Sequence, residues 1–444
     1  MIVSRLTVVV VLLTVASTLT ASAQPQPAPA GDSALRAALA QHRATLSVDS
    51  AGRIGGAGGA MLVDAGRQAR FFLVGEEHGV AENPRLVGAL FRALGPAGYR
   101  HLAIETGDAV AAELNRRALG ADPAGAITGF VTEYYPGVPF YNLREEAHLL
   151  AGAVAAAGRR PDVLWGLDYD VMADRYALRR LRTIAPNASA RAAADRAIAV
   201  GDSMLDAALA AGNPATVFAF AGSAPLVTEL RRAYAPASGS EAERILDNVD
   251  ETLRINRLWV EGHGYESNVA RSSYLKRQFM RKYQAARAAS RASRAAEARE
   301  AREAPRVMLK FGASHMIRGR TFANSYDIGS LAAELAEAEG ASAFGVMVIG
   351  GRESRHAQFD PRTFGYSPAP GEYAEQAWAK PFYDSADAAQ WTVFDLRRLR
   401  PLLSDGRLGQ LPARTTQVIY GFDALVILTR SHPSQPLVSE RPRK

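Results

Sequence analysis

The 444-residue sequence contains no cysteine, and it has no uninterrupted apolar stretch of about 18 residues, the length that a membrane span requires. The first absence excludes a disulfide framework, a thiolate nucleophile, an iron–sulfur cluster and a cysteine-ligated zinc site. The second predicts that the mature protein has no integral membrane segment. With 48% hydrophobic and 22% charged residues, the composition is that of a globular chain that can bury a sizeable core.

Acidic residues are scarce in one segment, and that scarcity accounts for the net charge of the chain, which is +7. Between Arg271 and Arg306 there are eleven basic residues and three acidic ones, so the rest of the chain is nearly neutral. Leu275, Phe279 and Tyr283 recur on one face, which predicts an amphipathic helix with a solvated basic face. No basic groove with interleaved aromatic residues accompanies this helix, and we therefore expect no nucleic-acid partner.

The amino terminus has the layout of a secretory signal peptide. A basic residue precedes the apolar stretch Leu6–Ala16, and the small-residue triplet Ala21-Ser22-Ala23 follows it. This order of charged, hydrophobic and small residues predicts a signal peptide over residues 1–23, cleaved after Ala23. A Pro/Ala-rich linker over residues 24–32 would follow, and we expect a periplasmic or secreted protein.

Short apolar runs separated by helical segments dominate the rest of the chain. Runs without polar alternation are typical of parallel strands covered on both faces. They predict an α/β domain with a mostly parallel sheet flanked by helices, built from residues 33–170 and 306–432. Residues 171–305, rich in Ala, Arg and Leu, predict a large helical insertion, and residues 433–444 predict a flexible tail. The apolar runs are Phe71–Val74, Leu102–Ile104, Val163–Leu167, Val307–Phe311, Phe344–Ile349, Trp391–Phe394 and Ala424–Leu428.

Polar side chains collect directly after four of these strands. Because ligands bind outside the carboxyl ends of parallel strands, we expect these side chains to share one edge of the sheet. An imidazole can take a proton from water and return it to a leaving alcohol, and a neighbouring carboxylate fixes its tautomer and raises its basicity. The pattern therefore predicts hydrolysis through an activated water. The residues are Glu76, Glu77 and His78 after the first strand, Glu105 after the second, Asp168 after the third, and His315 after the fourth.

Other interpretations use the same segments. A neutral imidazole with carboxylates could also hold a divalent metal, although the sequence has no H-E-x-x-H or H-x-H spacing. A serine route would use Ser314, but Gly312–Met316 departs from the G-x-S-x-G elbow at its last position. Asp168 could simply cap the next helix. Glu145 and Glu146 precede a helix, where we favour a solvated first turn over a position in the cleft.

The order of these motifs resembles the erythromycin esterase-like family, within a wider group that includes ChaN-type haem-binding proteins and Tiki-type proteins. The resemblance extends from about Phe71 to Pro436 and implies an α/β fold with hydrolase activity. The matching segments are Gly75–Gly79, Gly98-Tyr99, Leu102–Glu105, Trp165–Asp168, Arg277–Met280, Gly312–His315, Tyr420–Leu425 and Thr429-Arg430.

The resemblance also implies roles for individual residues. His78 would activate water, aided by Glu105, His315 and a glutamate of the first motif. The family has two residues between that glutamate and the histidine, whereas only one separates Glu76 from His78, so either Glu76 or Glu77 fills the role. With both glutamates kept as candidates, the expected catalytic residues are His78, Glu76, Glu77, Glu105 and His315.

The resemblance further implies that Arg277 reaches the cleft from the helical insertion, where it would orient the substrate or stabilise an oxyanion. Arg277 and Asp168 are the expected substrate-binding residues, and the expected substrate is a small-molecule carboxylic ester or lactone. Gln278 stands where the family has an aspartate, which leaves the specificity open. We expect no cofactor. The alternatives are a divalent metal on the same His/Glu cluster, or a haem- or metal-binding uptake protein without turnover.

Overall fold

A computed structural model describes residues 30–292, 304–360 and 362–438. The predicted signal peptide, residues 24–29 of the predicted linker, residues 293–303 of the predicted insertion and residues 439–444 of the predicted tail lie outside the described residues. Among the described residues, none of the helices combines the length and the apolar character that a membrane span requires.

The described residues contain eleven strands, nine of which form one sheet. They are β1 (Arg43–Val48), β2 (Ile54–Gly55), β3 (Phe71–Glu76), β4 (Tyr99–Ile104), β5 (Leu164–Gly166), β6 (Arg306–Gly312), β7 (Ala343–Gly350), β8 (Arg355–Asp360), β9 (Gly365–Pro370), β10 (Trp391–Asp395) and β11 (Ala424–Leu428).

The order of the strands in the large sheet is β2-β1-β10-β11-β7-β3-β6-β4-β5. The strands from β11 to β5 are paired in parallel, whereas β10, β1 and β2 add an antiparallel edge. The predicted α/β class with a mostly parallel sheet is therefore confirmed. Every residue of β3 and of β11 is buried, because helices cover both faces of the sheet, and this is why these strands lack polar alternation.

Seventeen α-helices lie within the described residues. They are α1 (Ala30–Gln41), α2 (Gly56–Gln68), α3 (Glu82–Leu94), α4 (Asp108–Ala118), α5 (Pro123–Glu133), α6 (Arg144–Ala156), α7 (Asp174–Thr183), α8 (Ala188–Ala211), α9 (Phe218–Ala221), α10 (Ala224–Tyr234), α11 (Glu241–Val260), α12 (Gly264–Ala292), α13 (Ala313–Met316), α14 (Ile328–Ala338), α15 (Lys380–Ser385), α16 (Leu399–Ser404) and α17 (Ala413–Gly421).

Two apolar layers enclose the sheet. On one face, buried residues of α2 to α6 pack against β3, β4, β6, β7 and β11. On the other face, α1 and α12 to α17 pack against the alternate residues of the same strands. Along β6, for example, Met308 belongs to the first layer and Leu309 to the second. The central strands are thus fixed between two cores, and the residues at their carboxyl ends are held in place with them.

Helices α7 to α12 occupy the chain between β5 and β6, and the described residues of this stretch contain no strand. Helices α7, α8, α10 and α11 share an apolar cluster of their own. Helix α12 returns to the sheet, where Leu275, Phe279 and Tyr283 are fully buried. The rings of Phe71 and Phe279 meet edge to face with centroids 5.4 Å apart. The apolar face predicted for this helix is thus the one that packs on the sheet.

Residues 433–438, which belong to the predicted tail, lie against the segments that follow β3 and precede α6. Pro433 pairs with Val80 and Pro436 with Leu143 in isolated β-bridges. The amide of Ser434 donates to the carbonyl of Gly79 at 2.8 Å. The antiparallel hairpin β8–β9 lies beside residues 433–438. The amide of Ala357 in β8 donates to the same carbonyl of Gly79 at 2.9 Å. Both segments border the residues that follow β3.

Candidate active site

Four adjacent parallel strands, in the order β3-β6-β4-β5, end at the same edge of the sheet. Glu76 is the last residue of β3, Glu105 follows β4 directly, and Asp168 follows β5 two residues after its end. The short helix α13 begins directly after β6 and carries His315. Because the strands are parallel and in register, the side chains after them converge, as the sequence pattern predicts.

His78 is held against a carboxylate by its Nδ1 atom, which lies 3.1 Å from Oε1 of Glu76. Its Nε2 atom lies 3.5 Å from Oε2 of Glu105. The ring of Phe140 stacks on the imidazole with centroids 4.0 Å apart. Gly312 makes room for the ring, since a Cβ atom there would lie 2.8 Å from His78 Nε2. Contacts on several sides therefore fix the orientation of this imidazole.

His315 is held in the same way by a different carboxylate. Its Nδ1 atom lies 2.8 Å from Oδ2 of Asp327, and its Nε2 atom lies 3.5 Å from Oε1 of Glu105. Asp327 is the N-cap of α14 and accepts the amide of Ile328 at 2.6 Å. It also accepts the hydroxyl of Ser272 at 2.7 Å. The two imidazoles thus present their Nε2 atoms to the two oxygens of one carboxylate.

Glu105 lies at the centre of this arrangement and is almost completely buried. Its Oε2 atom accepts the amide of Gly312 at 2.7 Å, and its Oε1 atom accepts Nη2 of Arg271 at 2.7 Å. Burial alone would favour the neutral acid, but His315, His78 and Arg271 outweigh it and lower the pKa of Glu105 to about 2. Glu105 is therefore an ionised carboxylate at neutral pH.

The same charges act on the imidazoles. Burial opposes protonation of His78, but the carboxylates of Glu105 and Glu76 outweigh it and raise its pKa. Burial and the nearby Arg271 oppose protonation of His315, but Asp327 and Glu105 outweigh them and raise its pKa as well. Opposite charges at hydrogen-bonding distance thus favour the imidazolium form of both rings.

A buried lysine lies behind Glu76. Nζ of Lys310 donates to Oε1 of Glu76 at 2.6 Å and to Oε1 of Glu146 at 2.7 Å. It also lies 5.2 Å from the centroid of the Tyr141 ring. Burial raises the pKa of Glu146 to about 7, against the attraction of Lys310 and with the added repulsion of Glu76. This part of the cluster therefore holds a carboxylate, Glu146, that titrates near neutral pH.

The two glutamates at the end of β3, Glu76 and Glu77, point in different directions. Glu76 contacts His78, whereas Glu77 accepts the amide of Gly350 at 2.8 Å and the amide of Glu372 at 2.6 Å. Successive side chains of a strand alternate between its faces, which separates the two. The geometry therefore places Glu76, and not Glu77, beside the imidazole.

Arg277, expected in the cleft, does not lie at the cluster. Its side chain is 55% exposed and pairs with Glu251 at 2.9 Å on the surface of the insertion. Arg271, six residues earlier on α12, is the arginine that reaches the strand ends. At about 100° per residue, six residues turn a helix by about 600°, so the two side chains leave α12 on different faces.

Asp168 lies next to Arg271 and is buried. Nη2 of Arg271 donates to its Oδ2 atom at 2.5 Å, and the amide of Tyr169 donates to its Oδ1 atom at 2.8 Å. The ring of Tyr169 also faces the guanidinium, with a distance of 5.2 Å from Cζ to the centroid. The oxygens of Asp168 are therefore occupied by protein donors.

Sequence reasoning missed Lys310, Asp327 and Arg271, and it favoured a solvated position for Glu146. A signal existed for two of these residues. Lys310 is the only charged residue inside the apolar run Val307–Phe311, and an acid before a helix, such as Asp327, is a common N-cap. Nothing in the arginine-rich sequence of α12 distinguishes Arg271 from its neighbours.

Both nitrogens of each imidazole in the cluster face carboxylates, so the geometry directs neither ring at Ser314. Among residues 30–292, 304–360 and 362–438, no group of three or more His, Asp and Glu side chains is placed so that it could hold a metal ion.

No protein-family model and no curated protein matches the chain. Solved structures do. A histidine-to-asparagine mutant of the erythromycin esterase EreC in its open conformation is 16% identical with a TM-score of 0.55, and the match covers 85% of this chain and 95% of that one. A protein from Bacillus cereus is 14% identical with a TM-score of 0.52, over 91% of this chain and 99% of that one. A succinoglycan biosynthesis protein is 10% identical with a TM-score of 0.52, over 91% and 98%.

The likeness is one of fold. The chain and these three proteins share their architecture over most of their lengths. The resemblance in the sequence to the erythromycin esterase-like family thus has a counterpart in a distant relationship of fold. Because one fold supports many reactions, the chemistry has to be argued from the side chains.

Proposed function

We propose that the protein is a hydrolase that cleaves a carboxylic ester or a lactone with a water molecule activated by His78. The observation that carries the proposal is the pair of imidazoles that face one carboxylate. Nδ1 of each ring is held by its own acid, and both Nε2 atoms lie 3.5 Å from an oxygen of Glu105. Two fixed imidazoles at one site supply a general base and a general acid.

His78 is the base in this proposal because it is the more accessible ring. Its side chain is 23% exposed, against 11% for His315 and 1% for Glu105. A water molecule at the surface of the cluster therefore meets His78 first. Glu76 orients the ring through Nδ1 and stabilises the imidazolium that forms when the ring accepts a proton.

In the proposed reaction, water transfers a proton to Nε2 of His78 while its oxygen bonds to the carbonyl carbon. The tetrahedral intermediate then collapses, the bond to the leaving oxygen breaks, and the proton on Nε2 of His315 passes to that oxygen. The products are an acid and an alcohol, or one hydroxy acid from a lactone. Exchange with solvent returns both rings to their starting states.

Arg271 has an electrostatic role in this proposal. It neutralises part of the charge of Glu105 and Asp168, which would otherwise be two buried carboxylates near the imidazoles. Asp168 holds Arg271 in place, a different role from the substrate binding that the sequence suggested. Arg277 has no part in the reaction as proposed, because it lies on the surface.

The test is hydrolysis of a panel of carboxylic esters, lactones and macrolides by the purified protein. We expect turnover of at least one ester or lactone, resistance to chelator treatment, loss of turnover in His78→Ala, and full activity in His148→Ala, which changes an exposed histidine outside the cluster. Full activity in Ser314→Ala would exclude the serine route.

Other outcomes would contradict the proposal. Loss of activity on chelation would assign the cluster to a divalent metal. An absence of turnover together with a Soret band after exposure to haem would instead indicate an uptake protein.

Export of the protein is a second part of the proposal, supported by the charged, apolar and small-residue order of residues 1–23. The expected location is the periplasm or the medium. The test is the mass and the amino-terminal sequence of the protein recovered from those fractions. A mature chain that begins at Gln24 is the expected result, and an intact Met1 in the cytoplasmic fraction would contradict it.

A further inference from the structure

Strand β6 carries a lysine in its buried interior. Lys310 lies between Leu309 and Phe311, and its side chain is 1% exposed. Strand β6 pairs with β3 on one side and β4 on the other. Moving an ammonium group out of water is unfavourable, so a lysine at this position needs strong partners.

The partners are two carboxylates and one aromatic ring. Nζ donates to Glu76 from β3 and to Glu146 from α6, and it faces the ring of Tyr141. The second oxygens of the two glutamates have no hydrogen-bond partner among the described residues. Replacing a buried ion pair by apolar side chains is often neutral or stabilising. The presence of this buried network is therefore weak evidence that its role is to stabilise the fold.

A shared oxygen atom links the network to the imidazole. Oε1 of Glu76 accepts both Nζ of Lys310 and Nδ1 of His78. We propose that Lys310 is a positioning residue that keeps Glu76 ionised and thereby fixes neutral His78 in the tautomer with its proton on Nδ1. Nε2 is then unprotonated, which is the form that a general base requires.

Lys310 would control the tautomer of His78 through the protonation state of Glu76. The titratable groups that face Lys310 are Glu76, Glu146 and Tyr141. Those that face His78 are Glu76, at hydrogen-bonding distance from Nδ1 (3.1 Å), and Glu105, farther from Nε2 (3.5 Å), so the shorter contact favours the proton on Nδ1. Burial raises the pKa of Glu76, and Lys310 is the strongest of the groups that lower it, so without the ammonium the buried Glu76 would take up a proton. A protonated Glu76 would donate to Nδ1, and the proton of the neutral ring would move to Nε2. Such a ring could not accept a proton from water at Nε2.

The experiment measures the ring nitrogens of His78 by 15N NMR across a pH titration. Lys310→Met keeps most of the length of the side chain and removes its charge. We expect the Nδ1–H tautomer in the unmodified protein and a large Nε2–H population in Lys310→Met. Lys380→Met is the matched control, because Lys380 forms an exposed pair with Asp384. It should leave the tautomer unchanged.

Kinetics supply a second readout, which rests on the proposed function. Loss of the base-competent tautomer should lower kcat by about tenfold or more with little change in KM, up to the 10²–10⁴-fold contribution of general base catalysis. In Glu146→Gln, Lys310 keeps Glu76 as its partner, so the Nδ1–H tautomer and most of kcat should remain. A Glu146→Gln variant that loses the tautomer as well would assign the effect to general disruption and overturn the proposal.

Folding of the variant is the remaining requirement. Where Lys310→Met does not fold, Lys310→Met/Glu146→Leu replaces the pair by apolar side chains, and the same tautomer change is expected because Glu76 still lacks its cation. A folded variant without Lys310 that retains the Nδ1–H tautomer would overturn the proposal. If the unmodified protein hydrolyses no ester, the NMR titration alone decides this inference, and the proposed function fails separately.

Discussion

The cluster has two halves, one with His78 on the β3 side and one with His315 on the α14 side. In each half a carboxylate holds Nδ1 of the imidazole, but the groups that contact this carboxylate differ. On the β3 side, Glu76 is paired with the full positive charge of Lys310. On the α14 side, Asp327 is held by a hydroxyl group and a backbone amide. The β3 side is thus a chain of ionisable groups, and the α14 side is a fixed set of dipoles.

In the proposed reaction, this difference separates the tasks of the two rings. Both rings change charge during each cycle, and on the β3 side that change occurs next to Glu76 and Lys310, whose charges act on His78. An acid must hold a proton in a fixed direction, and the dipoles around Asp327 are already oriented for it. Glu105, between the halves, faces both rings.

The largest expected difference is between the two histidines. His78→Ala should lower kcat about 10³-fold or more on every ester, because no other group takes the proton from water. His315→Ala should lower kcat about 10²-fold on an alkyl ester, and much less on an aryl ester, whose leaving group needs no proton. The measurement compares kcat for an alkyl and an aryl ester of one acid. An equal decrease in kcat for both variants on both esters would contradict the assignment of His78 as the base and His315 as the acid.

The second contrast is between the two arginines of α12. Arg271→Met should lower the free energy of unfolding by about 3–5 kcal/mol, because it leaves two buried carboxylates without their cation. Arg277→Met should change it by less than about 0.5 kcal/mol, as at other exposed positions. Urea denaturation of both variants measures the difference. Equal stabilities would mean that the central ion pairs contribute little to the fold.

The third contrast is between the neighbouring glutamates. Glu76→Gln should lower kcat by about 10²-fold, because an amide can turn its NH₂ group toward Nδ1 and favour the wrong tautomer. Glu77→Gln should leave kcat nearly unchanged and instead cost about 1–3 kcal/mol of stability, since one backbone amide loses its acceptor. Steady-state kinetics and urea denaturation separate the two effects. The reverse order of kcat values would assign the catalytic role to Glu77.

The smallest expected effect is a shift in pH dependence. A base must be neutral, and the pKa of His78 is raised, so kcat/KM should fall with decreasing pH through a value above the ordinary 6.5. An acid must be protonated, and the raised pKa of His315 keeps it active to higher pH than 6.5. Glu76→Gln should move the acidic limb to lower pH, and Asp327→Asn should do the same to the alkaline limb. Limbs that move together would show that the two halves titrate as one unit.

Most strands and the gathering of polar residues at their ends could be predicted from the sequence. Seven apolar runs correspond to strands, because a strand that is buried on both faces is apolar along nearly its whole length. The antiparallel edge was not predicted, since β1 is only partly buried and β10 resembles its parallel neighbours in composition. The hairpin β8–β9 was missed because its mixed polar residues give no clear alternation.

The sequence by itself determined the fold class and the edge of the sheet at which polar side chains gather. It also determined which acids and imidazoles follow the strands. These are local properties, fixed by composition and by position after a strand. Only the tertiary structure decided which partner each group has. It selected Glu76 over Glu77 and Arg271 over Arg277, and it brought Lys310 and Glu146 behind His78. These partners depend on which face of a strand or helix packs against a segment that is distant in the chain. Local sequence does not determine that packing.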